Sequence, residues 1–212
     1  MRMQKLGWVV LGAVLVFGLG YGSAVASASK ATDDLKSTID SVVSLVKDDA
    51  LKKDALTRRK KIREVIGKRF SYQQMVMRSL AQNWDVRTPK EKEDFLELFK
   101  KLLENSYASK IESYSDEVIN YVGEVVKGNY AEVKTEILRK DGVIGVDYRM
   151  ILENDQWMVY DFVIADVSII RNYRSQFSRI ISKDSFQELV RKLSSKIEEL
   201  ELKEGKEVSE QL

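Results

Sequence analysis

Few residue types in this chain could carry out acid–base or nucleophilic chemistry. Its 212 residues include no His and no Cys, which excludes Ser-His-Asp and Cys-His triads, thiolate zinc sites and CxxC redox chemistry. The remaining acid–base candidates are Asp147, Tyr148, Asp161 and Asp166. Paired carboxylates can hydrolyse glycosides when they lie several ångströms apart, a distance that a sequence does not give. We therefore predict no catalytic residue, no cofactor, no metal site and no enzymatic activity.

The first 28 residues have the three parts of a secretory signal peptide. Arg2 and Lys5 form a basic start, residues 6–17 are apolar, and small residues follow. We predict cleavage after Ala26 or Ala28. An uncleaved membrane anchor is the alternative, because no charged residue lies between Lys5 and position 30, a length that could span a bilayer.

The mature chain is electrically balanced. Without its first 28 residues it contains 33 basic and 33 acidic side chains, which gives no electrostatic reason to expect binding to nucleic acid. Because there is no Cys, no disulfide can stabilise the fold. The remaining residues, about 184, are nevertheless enough to bury a hydrophobic core unaided.

Apolar residues at helical spacing dominate the first half of the mature chain. They predict two amphipathic helices before Phe70. Ser71 with Gln74, and Thr88 with Glu91, have the spacing of capping boxes and predict the starts of two further helices. This part of the chain is therefore expected to be helical throughout.

The spacing then changes to alternation, which is typical of β-strands. Four runs rich in Val, Ile and Tyr are separated by short turn-forming breaks and predict an antiparallel meander at residues 117–127, 130–140, 143–152 and 156–164. Helical spacing returns after Asp166, which is well placed to cap the next helix. Ser185 with Glu188 marks the start of a last helix, and the charged end is expected to fray from Glu198.

These elements predict an α+β domain over residues 29–200, with a charged flexible tail at 201–212. Its core would be a four-stranded twisted antiparallel sheet packed with about six helices and enclosing an apolar cavity. The last strand is apolar on both faces, because Met158, Tyr160, Phe162 and Ile164 alternate with Trp157, Val159, Asp161 and Val163. Helices covering both faces of the sheet would explain this pattern, and so would one face lining a cavity.

The segment from Trp157 to Phe177, WMVYDFVIADVSIIRNYRSQF, resembles the signature of MlaC-type proteins, also called toluene-tolerance or ABC-transporter auxiliary proteins. Its specific part is WxVYD followed by VSxxxNYRSQF. Weaker agreement extends over roughly residues 35–200 and includes the Thr88-Pro89 helix start and the strand with Val146, Asp147 and Tyr148.

The resemblance implies a soluble periplasmic carrier that holds the acyl chains of a phospholipid in a pocket between sheet and helices. It also implies two partners, an outer-membrane lipoprotein and porin complex and an inner-membrane ABC transporter with an MCE-type component. Lipid shuttling between them would maintain the lipid asymmetry of the outer membrane. Two alternatives stay open: a hopanoid-associated relative in the same family, and a periplasmic interaction module without a ligand.

Ten apolar or aromatic residues form the predicted pocket lining: Met75, Leu80, Phe99, Leu103, Tyr107, Tyr148, Met150, Trp157, Phe162 and Ile170. The same spacing is also the usual signature of an ordinary core. Two polar groups have alternative explanations. Arg171, Asn172, Tyr173, Arg174 and Gln176 could attract a lipid phosphate or could pair with Asp161 or Asp166. The basic cluster at Lys52, Lys53 and 58–61 could contact anionic headgroups or an acidic partner surface, or could form a solvated helix face.

Overall fold

The computed structural model describes residues 30–114 and 117–209, so the predicted signal peptide lies outside the described residues. The helices before the sheet are α1 (Lys30–Lys47), α2 (Asp49–Lys52), α3 (Ala55–Gly67), α4 (Tyr72–Leu80), α5 (Gln82–Asp85) and α6 (Pro89–Glu112). The sheet and the last helices follow as β1 (Val118–Lys127), β2 (Tyr130–Arg139), β3 (Gly142–Glu153), β4 (Gln156–Ile164), β5 (Val167–Ser168), α7 (Ile169–Lys183) and α8 (Phe186–Ser209).

The predicted α+β class is confirmed. The prediction of four strands and about six helices is wrong, because the described residues contain five strands and eight helices. The additional elements are β5, which has two residues, and α2 and α5, which have four residues each. Elements this short span only about one period of a helix or strand pattern, so hydrophobic spacing does not reveal them.

The five strands form one antiparallel sheet in the order β1-β2-β3-β4-β5. Each strand therefore pairs with its neighbour in the chain. The outer edge of β4 is also covered, because the backbone N–H of Val159 donates to the carbonyl of Arg69 at 2.8 Å and Ser71 N–H donates to the Val159 carbonyl at 2.9 Å. Pairing of this kind removes an exposed strand edge and holds the segment between α3 and α4 against the sheet.

A β-bulge changes which residues of β4 share a face. Val159 pairs with Met150 and Asp161 pairs with Arg149, so Tyr160 is an extra residue without a partner on β3. The strict alternation predicted for this strand is therefore wrong. The bulge brings four apolar side chains of β4 onto the face that the helices cover: Trp157, Val159, Phe162 and Ile164.

Two of the four predicted helix starts are confirmed in atomic detail. At the start of α6 the Thr88 hydroxyl accepts from Glu91 N–H at 3.2 Å, and Thr88 N–H donates to the Glu91 carboxylate at 2.8 Å, which completes the capping box. At α8 the Ser185 hydroxyl accepts from Glu188 N–H at 3.0 Å.

At the other two predicted starts, the capping side chains named from the sequence are wrong. Ser71 makes no side-chain cap for α4, because pairing with β4 fixes the backbone there instead. Asp166 does not cap α7. The cap is Ser168, whose hydroxyl accepts from Arg171 N–H at 3.1 Å, while Asp166 lies exposed in the turn between β4 and β5 with φ of 65°.

The end of the domain formed by α6, α7 and α8 has a filled aromatic core. The ring centroids of Phe99 and Tyr173 are 5.1 Å apart, and those of Phe95 and Phe186 are 5.5 Å apart.

The charged segment from Glu198, which the sequence predicts to fray, continues as helix to Ser209. No helix in the described part of the chain is both long and apolar enough to cross a membrane.

Candidate functional site

An apolar cavity lies at the other end of the domain, between the sheet and helices α1, α3 and α6. Its volume is about 310 Å³, at the lower end of the range of roughly 300–1,000 Å³ found for ligand pockets. Helices α1 and α3 contribute three polar lining residues, Thr38, Arg59 and Arg63, and seven apolar ones: Leu35, Ile39, Val42, Val43, Val46, Ile62 and Ile66. The lining from the sheet is Ile119, Ile137, Val146, Tyr148, Phe162 and Ile164.

The structure divides the ten predicted pocket residues between this cavity and the filled core. Four of them line the cavity: Leu103, Tyr107, Tyr148 and Phe162. The other six belong to the buried core cluster and are not part of the cavity lining: Met75, Leu80, Phe99, Met150, Trp157 and Ile170. Core and cavity are continuous along the same face of the sheet, so spacing in the sequence does not distinguish them.

The α1 and α3 residues of the lining were not among the predicted set. The sequence does indicate these residues, because they lie on the apolar faces of the two consecutive amphipathic helices predicted at the start of the mature chain. An apolar stripe on a helix must be covered by other residues, but the sequence does not show which residues cover these two helices. The structure shows that α1 and α3 contact each other and, with the sheet, cover the cavity.

Aromatic rings form the wall between cavity and core. Phe162 makes edge contacts with Tyr107 at 5.2 Å and with Phe70 at 6.2 Å between ring centroids. Burial raises the pKa of Tyr107 and of Tyr148 to about 12 in each case. Both phenols are therefore neutral at physiological pH and add no charge to the apolar wall.

Charged side chains gather where α3 meets the C-terminal half of α6. The guanidinium of Arg59 donates from Nε to one oxygen of Glu112 at 2.7 Å and from Nη2 to the other at 2.9 Å. Arg63 donates to the side-chain carbonyl of Asn105 at 2.9 Å. Such a two-pronged arginine–carboxylate contact is among the stronger charge-assisted hydrogen bonds in proteins.

Glu104 also lies in the cavity wall, and the Tyr72 hydroxyl donates to its carboxylate at 3.2 Å. Burial is the main cause that raises the pKa of Glu104 above its usual value. A carboxyl whose pKa is raised on folding stabilises the folded state at acidic pH. This contribution is fully present below the unfolded pKa of about 4.3 and is lost as pH rises through the folded pKa.

We expect Glu104→Gln to raise the melting temperature at neutral pH and to have little effect near pH 4. The amide cannot ionise, so it avoids the cost of a half-buried charge, which water screening keeps below about 1 kcal/mol. Thermal unfolding of both proteins across this pH range measures the difference. Glu93→Gln, at an exposed site on the same helix, is the control. A Glu104→Gln effect that did not vary with pH would contradict the prediction.

The four acid–base candidates do not meet at one site. Asp147 pairs with Val163 on one face of the sheet, whereas Tyr148 pairs with Phe162 on the other. Asp166 is exposed in its turn. Asp161 is buried and accepts three hydrogen bonds, from Arg149 at 3.1 Å, the Ser168 hydroxyl at 2.7 Å and Ile170 N–H at 3.1 Å.

The predicted pairing of Asp161 or Asp166 with the arginines of α7 is therefore replaced by pairing of Asp161 with a cross-strand arginine. Arg171, Asn172, Arg174 and Gln176 are exposed and not part of the cavity wall. Tyr173 packs in the aromatic core. Among the described residues, no group of three or more His, Cys, Asp or Glu side chains could hold a metal ion.

The fold and the cavity together define a class of small α+β proteins that enclose an apolar site beside a meander sheet. The chain belongs to the MlaC family: the model of this family, described as MlaC protein, matches residues 36–195. The family membership predicted from the segment at Trp157–Phe177 is confirmed.

Two known proteins are similar to the chain, one in sequence and one in fold. The intermembrane phospholipid transport system binding protein MlaC of Haemophilus influenzae is 27% identical over 109 residues, which are 49% of this chain and 51% of the relative. The match thus spans about half the length of that protein. A phospholipid-binding protein from Ralstonia solanacearum, solved in complex with a phospholipid, has the same fold, with a TM-score of 0.75 and 22% identity over 81% of this chain and 99% of the other.

Proposed function

We propose that this protein is an exported, periplasmic carrier that binds the acyl chains of a phospholipid in the cavity. The proposed carrier domain spans residues 29–200 and follows a cleaved signal peptide at 1–28. The observation that carries the proposal is the cavity between the sheet and helices α1, α3 and α6, whose lining is mainly apolar. The class of ligand is inferred from the MlaC family and from the two similar proteins, both of which are described as phospholipid-binding or phospholipid-transport proteins.

The energetics of lipid transfer determine how such a carrier works. Burial of one methylene group contributes about 0.8 kcal/mol, so exposing two chains of about 16 carbons to water would cost on the order of 25 kcal/mol. A bound lipid therefore leaves only through direct contact with another apolar site. The free energy of lipid transfer between two such sites is close to zero. The direction of transfer must therefore come from the partner proteins.

The proposed partners are those that the family resemblance implies. They are an outer-membrane lipoprotein and porin complex on one side and the MCE-type component of an inner-membrane ABC transporter on the other. Shuttling between them would maintain outer-membrane lipid asymmetry.

Two other functions predict different contents for the cavity. A hopanoid-associated protein of the same family would carry a rigid polycyclic lipid instead of a phospholipid. A ligand-free interaction module needs no cavity, so the volume of about 310 Å³ favours a carrier over such a module.

The decisive experiment is native mass spectrometry of the mature protein, expressed with its own signal, purified from the periplasm without detergent and then extracted for lipid. We expect a stoichiometric phospholipid adduct. A hopanoid adduct would replace phospholipid as the cargo. A protein that carries nothing and takes no lipid from phosphatidylethanolamine–phosphatidylglycerol vesicles would contradict the carrier function.

A further inference from the structure

A cation and two aromatic rings meet on the side of the sheet that is opposite to the cavity. The guanidinium carbon of Arg78, on α4, lies 4.1 Å from the ring centroid of Tyr160 and 5.9 Å from that of Tyr130. The two rings contact each other edge to face, with 6.0 Å between their centroids. Tyr130 points away from the core, because it alternates along β2 with Ala131, which belongs to the core. We call Arg78, Tyr130 and Tyr160 the Arg78 cluster.

The bulge in β4 gives Tyr160 its position in this cluster. Tyr160 has no partner on β3, because Val159 and Asp161 on either side of it pair with consecutive residues of that strand. Bulges change the direction of side chains and are frequent next to functional sites. The ring of Tyr160 therefore contacts Arg78 instead of a cross-strand neighbour.

The fold makes little use of the charge of Arg78. Among the described residues this guanidinium has no hydrogen bond and no ion pair, and its Nε atom is buried without an acceptor. The residues three and four positions away on the helical segment are Gln74, Met75, Ala81 and Gln82, none of which is acidic. A buried donor without an acceptor destabilises a fold, so the fold alone gives little reason for an arginine at this position.

Two acids adjoin the Arg78 cluster in the sheet, but both have other cations as partners. The carboxylate of Glu132 lies 3.6 Å from the ammonium of Lys134 and 3.2 Å from the guanidinium of Arg149. The carboxylate of Asp161 lies 3.1 Å from the same guanidinium. The aromatic rings are therefore the groups that contact Arg78, and no carboxylate of the described residues pairs with it.

The acids outside the described residues are attached to other parts of the molecule. Asp116 comes just before β1, a strand of ten residues and about 30 Å, and the Arg78 cluster lies at the other end of that strand. The acids whose side chains are not described at the end of α8 follow Glu201, which contacts Asn105 beside the cavity. Residues 1–28 contain no acid.

We propose that the Arg78 cluster is a docking site for a partner protein, and that Arg78 pairs there with a carboxylate of that protein. The proposal rests on the proposed carrier function, because a lipid carrier must contact the proteins with which it exchanges lipid. Arginine and tyrosine are enriched among the residues that dominate the binding energy of protein interfaces. The cluster also has half-buried apolar neighbours, since Tyr130, Ile151 and Met158 lie side by side on three strands.

A partner protein fits this site better than a membrane surface does. Binding to anionic lipids normally requires several lysine or arginine side chains close together. The Arg78 cluster contributes one cation, and the adjacent carboxylates of Glu132 and Asp161 would repel anionic headgroups. A single guanidinium held against aromatic rings suits one carboxylate in an apolar surrounding, because its position is fixed before binding.

Photo-crosslinking in living cells tests the docking site with the full-length chain. Benzoylphenylalanine replaces Tyr130, which is 46% exposed, and keeps an aromatic ring in the cluster. We expect one crosslinked protein, and Arg78→Glu should lower the yield about tenfold or more, as for loss of a central interface residue. Benzoylphenylalanine at Val143 is the control. Val143 is 60% exposed at the other end of β3, so a crosslink from it should not depend on Arg78.

Charge reversal tests the carboxylate itself. Mass spectrometry of the crosslinked peptides locates the contacting surface, and each acid there is changed to lysine in combination with Arg78→Glu. We expect one such pair to restore the crosslink, and this restoration, not the capture of a protein, supports the proposal.

Arg78→Gln keeps the test valid if Arg78→Glu does not fold. It removes both the charge and the donor without an acceptor, so its melting temperature should lie within about 3 °C of the wild-type value while its crosslink is lost. Its phospholipid content should be unchanged, because no residue of the Arg78 cluster lines the cavity.

Several results would overturn the assignment. They are the absence of a crosslinked protein at position 130, an unchanged yield in the folded Arg78 variants, and failure of every charge reversal to restore the crosslink. Weaker binding of Arg78→Gln than of the wild type to phosphatidylglycerol vesicles, without a protein crosslink, would assign the cluster to a membrane surface instead. A wild-type protein without phospholipid would contradict the carrier function, and lipid extraction detects this independently of any crosslink.

Discussion

Phe162→Arg is expected to abolish the copurification of phospholipid with the mature protein while leaving the protein folded. Phe162 lines the cavity from β4 and contacts the rings of Tyr107 and Phe70. A guanidinium at this position places a charge where acyl chains would lie, and exclusion of water from that charge costs several kcal/mol. The long stem of arginine can carry its head toward the polar end of the wall, so the fold is expected to survive.

Leu103→Arg tests the same cavity from the opposite wall, since Leu103 lines it from α6. Lipid extracted per mole of folded protein is the measurement, and the melting temperature reports whether each variant folds. Leu56→Arg is the control, because Leu56 on α3 is 66% exposed and is not part of the cavity wall. Normal lipid content in either cavity variant would remove that residue from the binding site.

Asp161→Ala is expected to lower the free energy of unfolding by about 3 kcal/mol or more. The carboxylate is 4% exposed and joins β3, β5 and α7 through Arg149, the Ser168 hydroxyl and the N–H of Ile170. Its loss leaves several donors without an acceptor, and buried unsatisfied donors cost more than the hydrogen bonds themselves contribute. Denaturant titration gives the free energy directly.

Asp166→Asn is the matched control for this substitution. Asp166 is exposed, and Asn tolerates its positive φ equally well. We expect a change within about 0.5 kcal/mol. Equal losses at positions 161 and 166 would contradict the role assigned to Asp161.

The fold was predictable wherever local chemistry determines it. The capping box of Thr88 and Glu91 depends on residues three positions apart, and the four long strands follow from alternation between turn residues. The start of α4 was not predictable in detail, because the backbone at Ser71 is fixed by Val159, which is distant in the chain.

The site was less predictable, for two physical reasons. The bulge at Tyr160 moves Phe162 onto the same face as Val159, and no local residue pattern marks that insertion. The position of the cavity also depends on how far α1 and α3 stand from the sheet. Apolar spacing identifies the faces of these helices that must be covered, but it does not show whether the space beneath them is filled.

The order in which the chain can fold follows from the meander. Strands that pair with their neighbours in sequence close short loops and form quickly. Helix α1 instead contacts residues that are distant from it in the sequence. Lys30 Nζ donates to the carbonyl of Asp155 at 2.6 Å, and the N–H of Thr32 donates to Glu124 at 2.9 Å. Such contacts must overcome a larger loop-closure entropy. We therefore expect the sheet to form first and the cavity to be completed last, so that a newly synthesised chain acquires its apolar interior only when folding ends.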